Sequence, residues 1–278
     1  MCVARGVPAW AEFPVYADRR GEYRGLEEEA PMSLVFALLR EDHIIFASDS
    51  RHVMGTPDGK YLNDKCCKIE RALNDSALLG FAGDDICESI VVTLRRNNSL
   101  NGQKSLDALA LEVSKTAAGL YKKKFPDETN HPNAEFLLAG FDEKGAITYR
   151  IEAPHFGISV RMFDDSLNYD TFEVIGKRRH GALYFFRKCA TQALTVELGI
   201  RLACFGLKEV EVYDTTVGGP PQIYVIFPGK IEDRSAQLHA HMKWAGSVGD
   251  RIRTLILSPR NTELTPSQSK RGRPPSQA

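Results

Sequence analysis

Short apolar runs separated by turn residues begin abruptly at Ser33 and continue almost to the end of this chain. Before that point the pattern is different: residues 1–31 are polar, punctuated by Pro and Gly, and acidic at the end (GLEEEAP), with no helical or alternating period. SLVFALLR and HIIFASDS are split by Glu41-Asp42 and predict a β-hairpin. VMGTPDGKYLNDK is rich in turn residues, and CCKIERA and SALLGFAG predict a second strand pair around the turn dipeptide Asn74-Asp75. Asp84 and Asp85 stand where they can cap a helix that carries Ile86, Ile90 and Leu94 on one face. Ser105 can cap a longer helix, in which Leu106, Leu109, Ala110, Val113, Ala117, Leu120 and Tyr121 recur at helical spacing until Pro126 ends it.

AEFLLAGFD, AITYRIEAP, FGISVRM and TFEVIG then read as strands, residues 180–191 and 195–208 as helices, QIYVIFP as a strand and 232–256 as a last helix. That order predicts an α+β fold in which two sheets stack face to face with helices on both outer sides. The closing stretch, SPRNTELTPSQSKRGRPPSQA, is polar and Pro-rich and predicts disorder. The expected organisation is therefore an N-terminal extension over 1–32 (a propeptide or a mis-assigned start), a folded domain over 33–257 and a disordered tail over 258–278.

Composition narrows the function classes. Lys plus Arg and Asp plus Glu both total 36 among 278 residues, so the net charge is zero, and no general attraction to nucleic acid or to a membrane surface is expected. No apolar stretch approaches the ~20 residues of a membrane span. The opening lacks the apolar core of a secretory signal. The six cysteines (Cys2, Cys66, Cys67, Cys87, Cys189 and Cys204) form no C-x-x-C pair, and read as reduced core residues of a cytoplasmic protein.

SLVFALLREDHIIFASDSR followed by CCKIERALNDSALLGFAGDD resembles the opening of proteasome β-type subunits and of the related bacterial two-tier ATP-dependent protease. The shared elements are a nucleophile opening the first strand, an acid ending the second in A-x-D-S-R, a K-I pair opening the third, and F-A-G before a helix. FEVIG before RHGALYFF is similar to the family's glycine-loop-to-helix segment, and YDTTVGGPPQIYVI to its D-x-x-x-G-G segment and following strand. The match runs from about Ser33 to Phe227 in consistent order. The resemblance implies a four-layer α-β-β-α sandwich of the N-terminal-nucleophile hydrolase type. It also implies assembly with other copies of the chain into a ring or barrel, a polypeptide substrate, and an ATPase unfoldase as partner.

The resemblance also implies a site. Ser33 matches the family's N-terminal Thr, and the sixteen-residue step to Asp49 is the family's step from nucleophile to acid. A chain beginning at Ser33 would carry its own base, an α-amino group with a typical pKa of ~7.7–8.0 that is partly neutral near pH 7. Counting back from Gly83 through GFAG and the Asn74-Asp75 turn puts the family's lysine on Lys68, whereas counting forward from Asp49 alone selects Lys65. The backward count is preferred because loops such as 53–64 vary in length more than paired strands do. Gly83 is expected to offer a backbone N–H to an oxyanion, and Asp214 to support the amine. No metal or organic cofactor is implied.

Three positions depart from the family pattern. Gly176 is followed by Lys177, Arg178 and Arg179 instead of a serine, Val217 replaces the serine three residues after Asp214, and Met32 rather than glycine precedes Ser33. Translation from Met32 with loss of the methionine would also free Ser33. Other readings are weaker. Cys2 as an N-terminal nucleophile lacks a strand to open, and His239 and His241 diverge at i, i+2 on a helix. Ser269-Lys270-Arg271-Gly272-Arg273-Pro274 is one basic cluster in a polar tail, and Lys122-Lys123-Lys124 complements a helix dipole. The main rival is a non-catalytic subunit of a proteasome-like core complex, although VYADRRGEYRGLEEEA lacks the Y-D-R and Q-V-E-Y-A pattern of α-type subunits.

Overall fold

The computed structural model describes residues 33–56, 59–126, 132–163, 172–176 and 194–257. The expected extension over 1–32, the helix over 180–191 and the tail over 258–278 lie outside the described residues.

β1 (Val35–Leu39) and β2 (Ile44–Ser48) form the first hairpin, with Leu39 opposite Ile44 and Glu41-Asp42 at its tip. Every residue of both strands is buried. Successive side chains of a strand point to opposite faces, so both faces of this hairpin must be covered. Phe36 and Leu38 enter one apolar cluster, while Val35, Ala37 and Leu39 enter another. The unbroken apolar run in the sequence is the signature of that double covering.

β3 (His52–Thr56) and β4 (Gly59–Asn63) make a separate two-stranded hairpin where the sequence reads as turn-rich connection. β5 (Ile69–Ala72), β6 (Ala77–Gly83), β7 (Ala134–Asp142), β8 (Gly145–Glu152) and β9 (Gly157–Met162) follow as an antiparallel meander. Leu73, Asn74 and Asp75 all take positive φ in the β5–β6 turn. β10 (Phe172–Ile175), β11 (Gln222–Phe227) and β12 (Lys230–Asp233) complete a first sheet in the order β10-β1-β2-β11-β12, also antiparallel throughout.

The helices are α1 (Ile86–Arg96), the one-turn α2 (Ser99–Gly102), α3 (Leu106–Lys124), α4 (Val196–Tyr213) and α5 (His239–Leu257). Ser105 accepts the Ala108 N–H at 3.2 Å and Thr195 the Leu198 N–H at 3.3 Å, satisfying donors that the first turn leaves open. At α1 the expected cap differs in detail. Asp84 accepts from the Ile86 N–H at 3.1 Å, while Asp85 makes no side-chain cap bond and meets His52 Nε2 at 3.0 Å instead. The last helix starts at His239, not at 232, because β12 and a 3-10 turn over Ser235–Gln237 occupy the preceding residues.

Three apolar clusters hold these elements together. One lies between α1, α3 and the meander (Ile90, Leu109, Val113, Phe136, Leu138). A second lies between α4, α5 and the first sheet (Phe36, Ile45, Ala203, Val225, Ala245). The third joins the two sheets through Val35, Phe46, Leu78, Leu137 and Ile226. Gly80 permits that close stacking, since a Cβ there would lie 2.6 Å from Val35 Cγ1. Of the four described cysteines, Cys87 and Cys204 are buried as expected, but Cys66 is only half-buried and Cys67 is exposed. Among the described residues no helix is long and apolar enough to cross a membrane.

Candidate active site

The antiparallel order brings particular strand ends together. The start of β1, the end of β2, the end of β10 and the approach to β11 meet at one end of the first sheet. In the meander, the approach to β5, the end of β6 and the start of β7 likewise lie together. A small cavity of ≈ 20 Å³ at this end is lined by Ser33, Lys68 and Gly83, with His52, Cys66, Phe81, Asp84, Asp85 and Glu88 around them.

Asp49 stands behind the cavity and is 1% exposed. Its Oδ1 accepts the Leu34 N–H at 2.9 Å, the amide immediately after Ser33. Its Oδ2 accepts Lys68 Nζ at 2.8 Å, the Arg51 N–H at 3.2 Å and the Gly218 N–H at 3.2 Å. Burial pushes the Asp49 carboxyl up from the usual carboxylate range, and the positive charge of Lys68 and these donors oppose the shift. Lys68 is 2% exposed and also donates to the Arg51 carbonyl. A buried ammonium bonded to a buried carboxylate satisfies both charges at once, which explains how two ionisable side chains stay in an apolar layer. Of the two candidate lysines, Lys68 is therefore the one that meets Asp49. Lys65 is exposed and lines a second, adjoining cavity of ≈ 400 Å³ together with His52, Cys66, Glu70, Phe81 and Glu88.

Gly83 closes β6 with φ +122°, and a Cβ there would sit 2.1 Å from the Asn133 carbonyl oxygen, so only glycine fits. The neighbouring Asp84 N–H donates to that same oxygen at 2.7 Å. Asp214 is buried, and its Oδ1 accepts both the N–H (3.0 Å) and the hydroxyl (2.6 Å) of Thr216. It does not line the cavity. The turn it opens runs to Gly218, whose N–H Asp49 accepts. Ser33, Lys68 and Gly83 are thus brought together at the cavity, Asp49 directly behind them, and Asp214 one step further away. His241, considered as a ligand, pairs with Glu197 at 3.3 Å.

Two supporting residues, Gln222 and Arg51, have partners that the sequence does not indicate. Gln222, at the start of β11, accepts the Lys68 N–H at 3.1 Å and the Ser48 hydroxyl at 3.3 Å, and donates to the Cys66 carbonyl at 2.7 Å. It ties the lysine's backbone to the first sheet. Arg51 grips Asp64 with two bonds of 2.7 and 3.0 Å and donates to the Thr215 carbonyl at 2.9 Å. That fork holds the base of the β3–β4 hairpin and the 214–218 turn against β2. Arg51 ends the A-x-D-S-R motif and Gln222 opens a strand, yet their partners are 13 to 174 residues away, so spacing alone does not reveal what they hold.

No family model matches the chain, and no curated protein matches it. Solved structures do. Anbu (ancestral beta-subunit) from Yersinia bercovieri is similar with a TM-score of 0.65 at 15% identity, over 83% of this chain and 99% of that one. Anbu from Hyphomicrobium sp. strain MC1 is similar with a TM-score of 0.59 at 13% identity, over 83% and 99% of the two chains. A structure of the helical assembly of the Anbu complex from Pseudomonas aeruginosa gives 0.59 at 18% identity, over 79% and 95%. The chain shares the fold of these Anbu chains over nearly their whole length.

Proposed function

We propose that residues 33–257 form a proteasome-like N-terminal-nucleophile peptidase domain, in which the two stacked sheets and their outer helices are the four-layer sandwich of that class. The observation that carries this reading is the double grip of Asp49, which holds the amide next to Ser33 with one oxygen and buried Lys68 with the other. The likeness to the structures described as ancestral beta-subunits supports it at the level of the fold.

In this mechanism Ser33, freed at its amino terminus, attacks the carbonyl carbon of a peptide bond. Its own α-amine takes the hydroxyl proton as the C–O bond forms. The oxyanion that results is met by the Gly83 N–H and by the field of the Lys68 ammonium. The amine passes its proton to the departing nitrogen as the C–N bond breaks, which leaves an ester on Ser33. Water, deprotonated by the same amine, attacks that ester and releases the acid, restoring the hydroxyl. Asp49 orients Lys68, and Asp214 acts from outside the cavity by fixing the turn that presents Gly218. The steps need no metal or organic cofactor. Unfolded polypeptide is the substrate, copies of this chain assemble in a ring or helical array, and an ATPase supplies unfolded chain.

A second reading has its own support. Val217 is 1% exposed and packed in an apolar cluster, so it offers no hydroxyl to an amine at Ser33, as a purely structural subunit would allow. The test separates the two. The amino terminus of the native assembled protein is determined by mass spectrometry, and material beginning at Ser33 is assayed on a fluorogenic peptide amide. The peptidase reading expects turnover that Ser33→Ala abolishes. Assembled protein that begins at Met1 or Cys2, or trimmed protein without turnover, supports the structural subunit instead.

A further inference from the structure

Beside the site, acids and arginines from both sheets form a network. It comprises Glu135 on β7, Arg150 and Glu152 on β8, Arg161 on β9 and Glu173 on β10. Arg150 faces Glu135 at 3.6 Å and Glu173 at 3.8 Å and pairs with Glu152; Arg161 meets Glu173 at 2.8 Å. Glu135 is 3% exposed. One of its oxygens faces Arg150, and the other accepts the backbone N–H of Gly176 at the end of β10.

Gly176 lies against the Ser33–Leu34 peptide on the β10 side. A Cβ on Gly176 would lie 2.0 Å from the Ser33 carbonyl oxygen, and its φ is +112°. The other edge of that same peptide, the Leu34 N–H, is held by Asp49. One peptide unit is therefore clamped on its N–H side by the Lys68–Asp49 pair and touched on its carbonyl side by a glycine that Glu135 holds. β7 reaches the opposite wall of the cavity as well. Ala134 pairs with Gly83, and the Asn133 carbonyl takes the Asp84 N–H. Three consecutive residues thus set both Gly83 and the glycine behind Ser33.

We infer that Glu135 is a positioning residue for Ser33, acting through the Gly176 N–H across the gap between the two sheets. This rests on the proposed role of Ser33, and the experiment separates the two. In the full-length protein, amide hydrogen exchange is followed at Gly176 and at Leu34 in Glu135→Ala, Glu135→Gln and Glu152→Gln variants. The rate at which a β-lactone acylates Ser33 is measured in parallel on the same variants prepared to begin at Ser33.

Glu135→Ala should cost about tenfold or more in protection at both amides, and should slow acylation by about tenfold or more, as a misplaced nucleophile does. Glu135→Gln keeps an acceptor for Gly176 and should restore both. Glu152→Gln removes a charge facing the same arginine without touching Gly176 and should change neither. If the alanine variant does not fold, Glu135→Asp keeps the charge, withdraws the carboxylate by one methylene, and should still release Leu34. Loss of protection at Gly176 with Leu34 unaffected overturns the inference, as does a Glu152→Gln variant that reproduces the effect. Wild-type protein that neither hydrolyses peptide amides nor reacts at Ser33 defeats the peptidase reading, and the exchange at Leu34 still decides the positioning.

Discussion

Replacing Lys68 by Met is the sharpest probe of the buried pair. The substitution keeps the length of the side chain and removes only the ammonium, leaving Asp49 1% exposed without its cation. Breaking one half of a buried pair costs ~3–5 kcal/mol. Three backbone donors remain on the carboxylate, from Leu34 at 2.9 Å and from Arg51 and Gly218 at 3.2 Å each, so the low end, about 3 kcal/mol, is expected. For a domain of this size that is a fall in Tm of roughly 6–12 °C. The pH dependence follows from the direction of the Asp49 shift. Burial raises its folded pKa above the unfolded value, and loss of Lys68 raises it further. A raised carboxyl favours the folded state at low pH, and that contribution is lost as pH climbs through the folded pKa. The deficit of Lys68→Met relative to wild type should therefore be larger at pH 8 than at pH 5, since a carboxyl raised further takes up a proton more readily as pH falls. Adding Asp49→Asn should recover a large part of the lost stability, while peptide hydrolysis stays absent. Calorimetric melts at the two pH values decide it. A Tm loss under about 2 °C, or an equal loss at both, would refute the claim that this pair is buried and charged.

Gly83→Ala places a methyl group 2.1 Å from the Asn133 carbonyl oxygen at positive φ. It should destabilise by ~1–3 kcal/mol in a denaturant titration and remove hydrolysis. Gln222→Leu leaves the Lys68 N–H and the Cys66 carbonyl without their partner at ~1–3 kcal/mol; kcat should fall more than KM rises. Glu88 lines both cavities. Glu88→Gln should therefore lower kcat/KM for amides with Lys or Arg at the cleaved position several-fold relative to Leu, and an unchanged ratio would remove Glu88 from substrate selection.

How much was readable beforehand depends on whether the signal is local. The β1–β2 and β5–β6 hairpins announce themselves because their apolar positions and their turns, Glu41-Asp42 and Asn74-Asp75, sit within a few residues of each other. The β3–β4 hairpin does not. Its described side chains include one buried apolar residue, Val53, and its base is closed by Arg51 and Asp64, an ion pair that leaves no periodicity. The expected last helix over 232–256 overlaps the end of β12, and Lys230–Asp233 contains a single aliphatic residue, Ile231, so no alternation marks the strand. Cys67 falls in the predicted strand CCKIERA, but β5 begins only at Ile69, which leaves Cys67 exposed. At the site, Ser33, Asp49, Lys68 and Gly83 could be found as strand ends bearing chemistry. Gln222 and Glu135 could not, since each acts on a residue 154 or 41 positions away through a bond that only the stacked sheets create.

The valine at position 217 illustrates the same division. Read along the chain, it removes a hydroxyl from a segment that resembles a catalytic one. In the folded protein that side chain packs with the helix-side cluster, while the next residue, Gly218, sends its N–H to Asp49 and its carbonyl to the Ser50 and Arg51 amides at 3.0 Å each. The segment's grip on the acid is therefore made by backbone groups. Such a contact survives almost any side chain at 217, but depends on Gly218 itself, whose φ is +154° and where a Cβ would lie 2.7 Å from an Arg51 guanidinium nitrogen. The departure at Val217 thus leaves the Asp49 hydrogen bonds intact, and under the proposed reading it bears only on the amine at Ser33. Frame and chemistry are then separable at this turn: Gly218 holds Asp49 through its backbone, and under the proposed peptidase reading Val217 only withholds a hydroxyl from the amine.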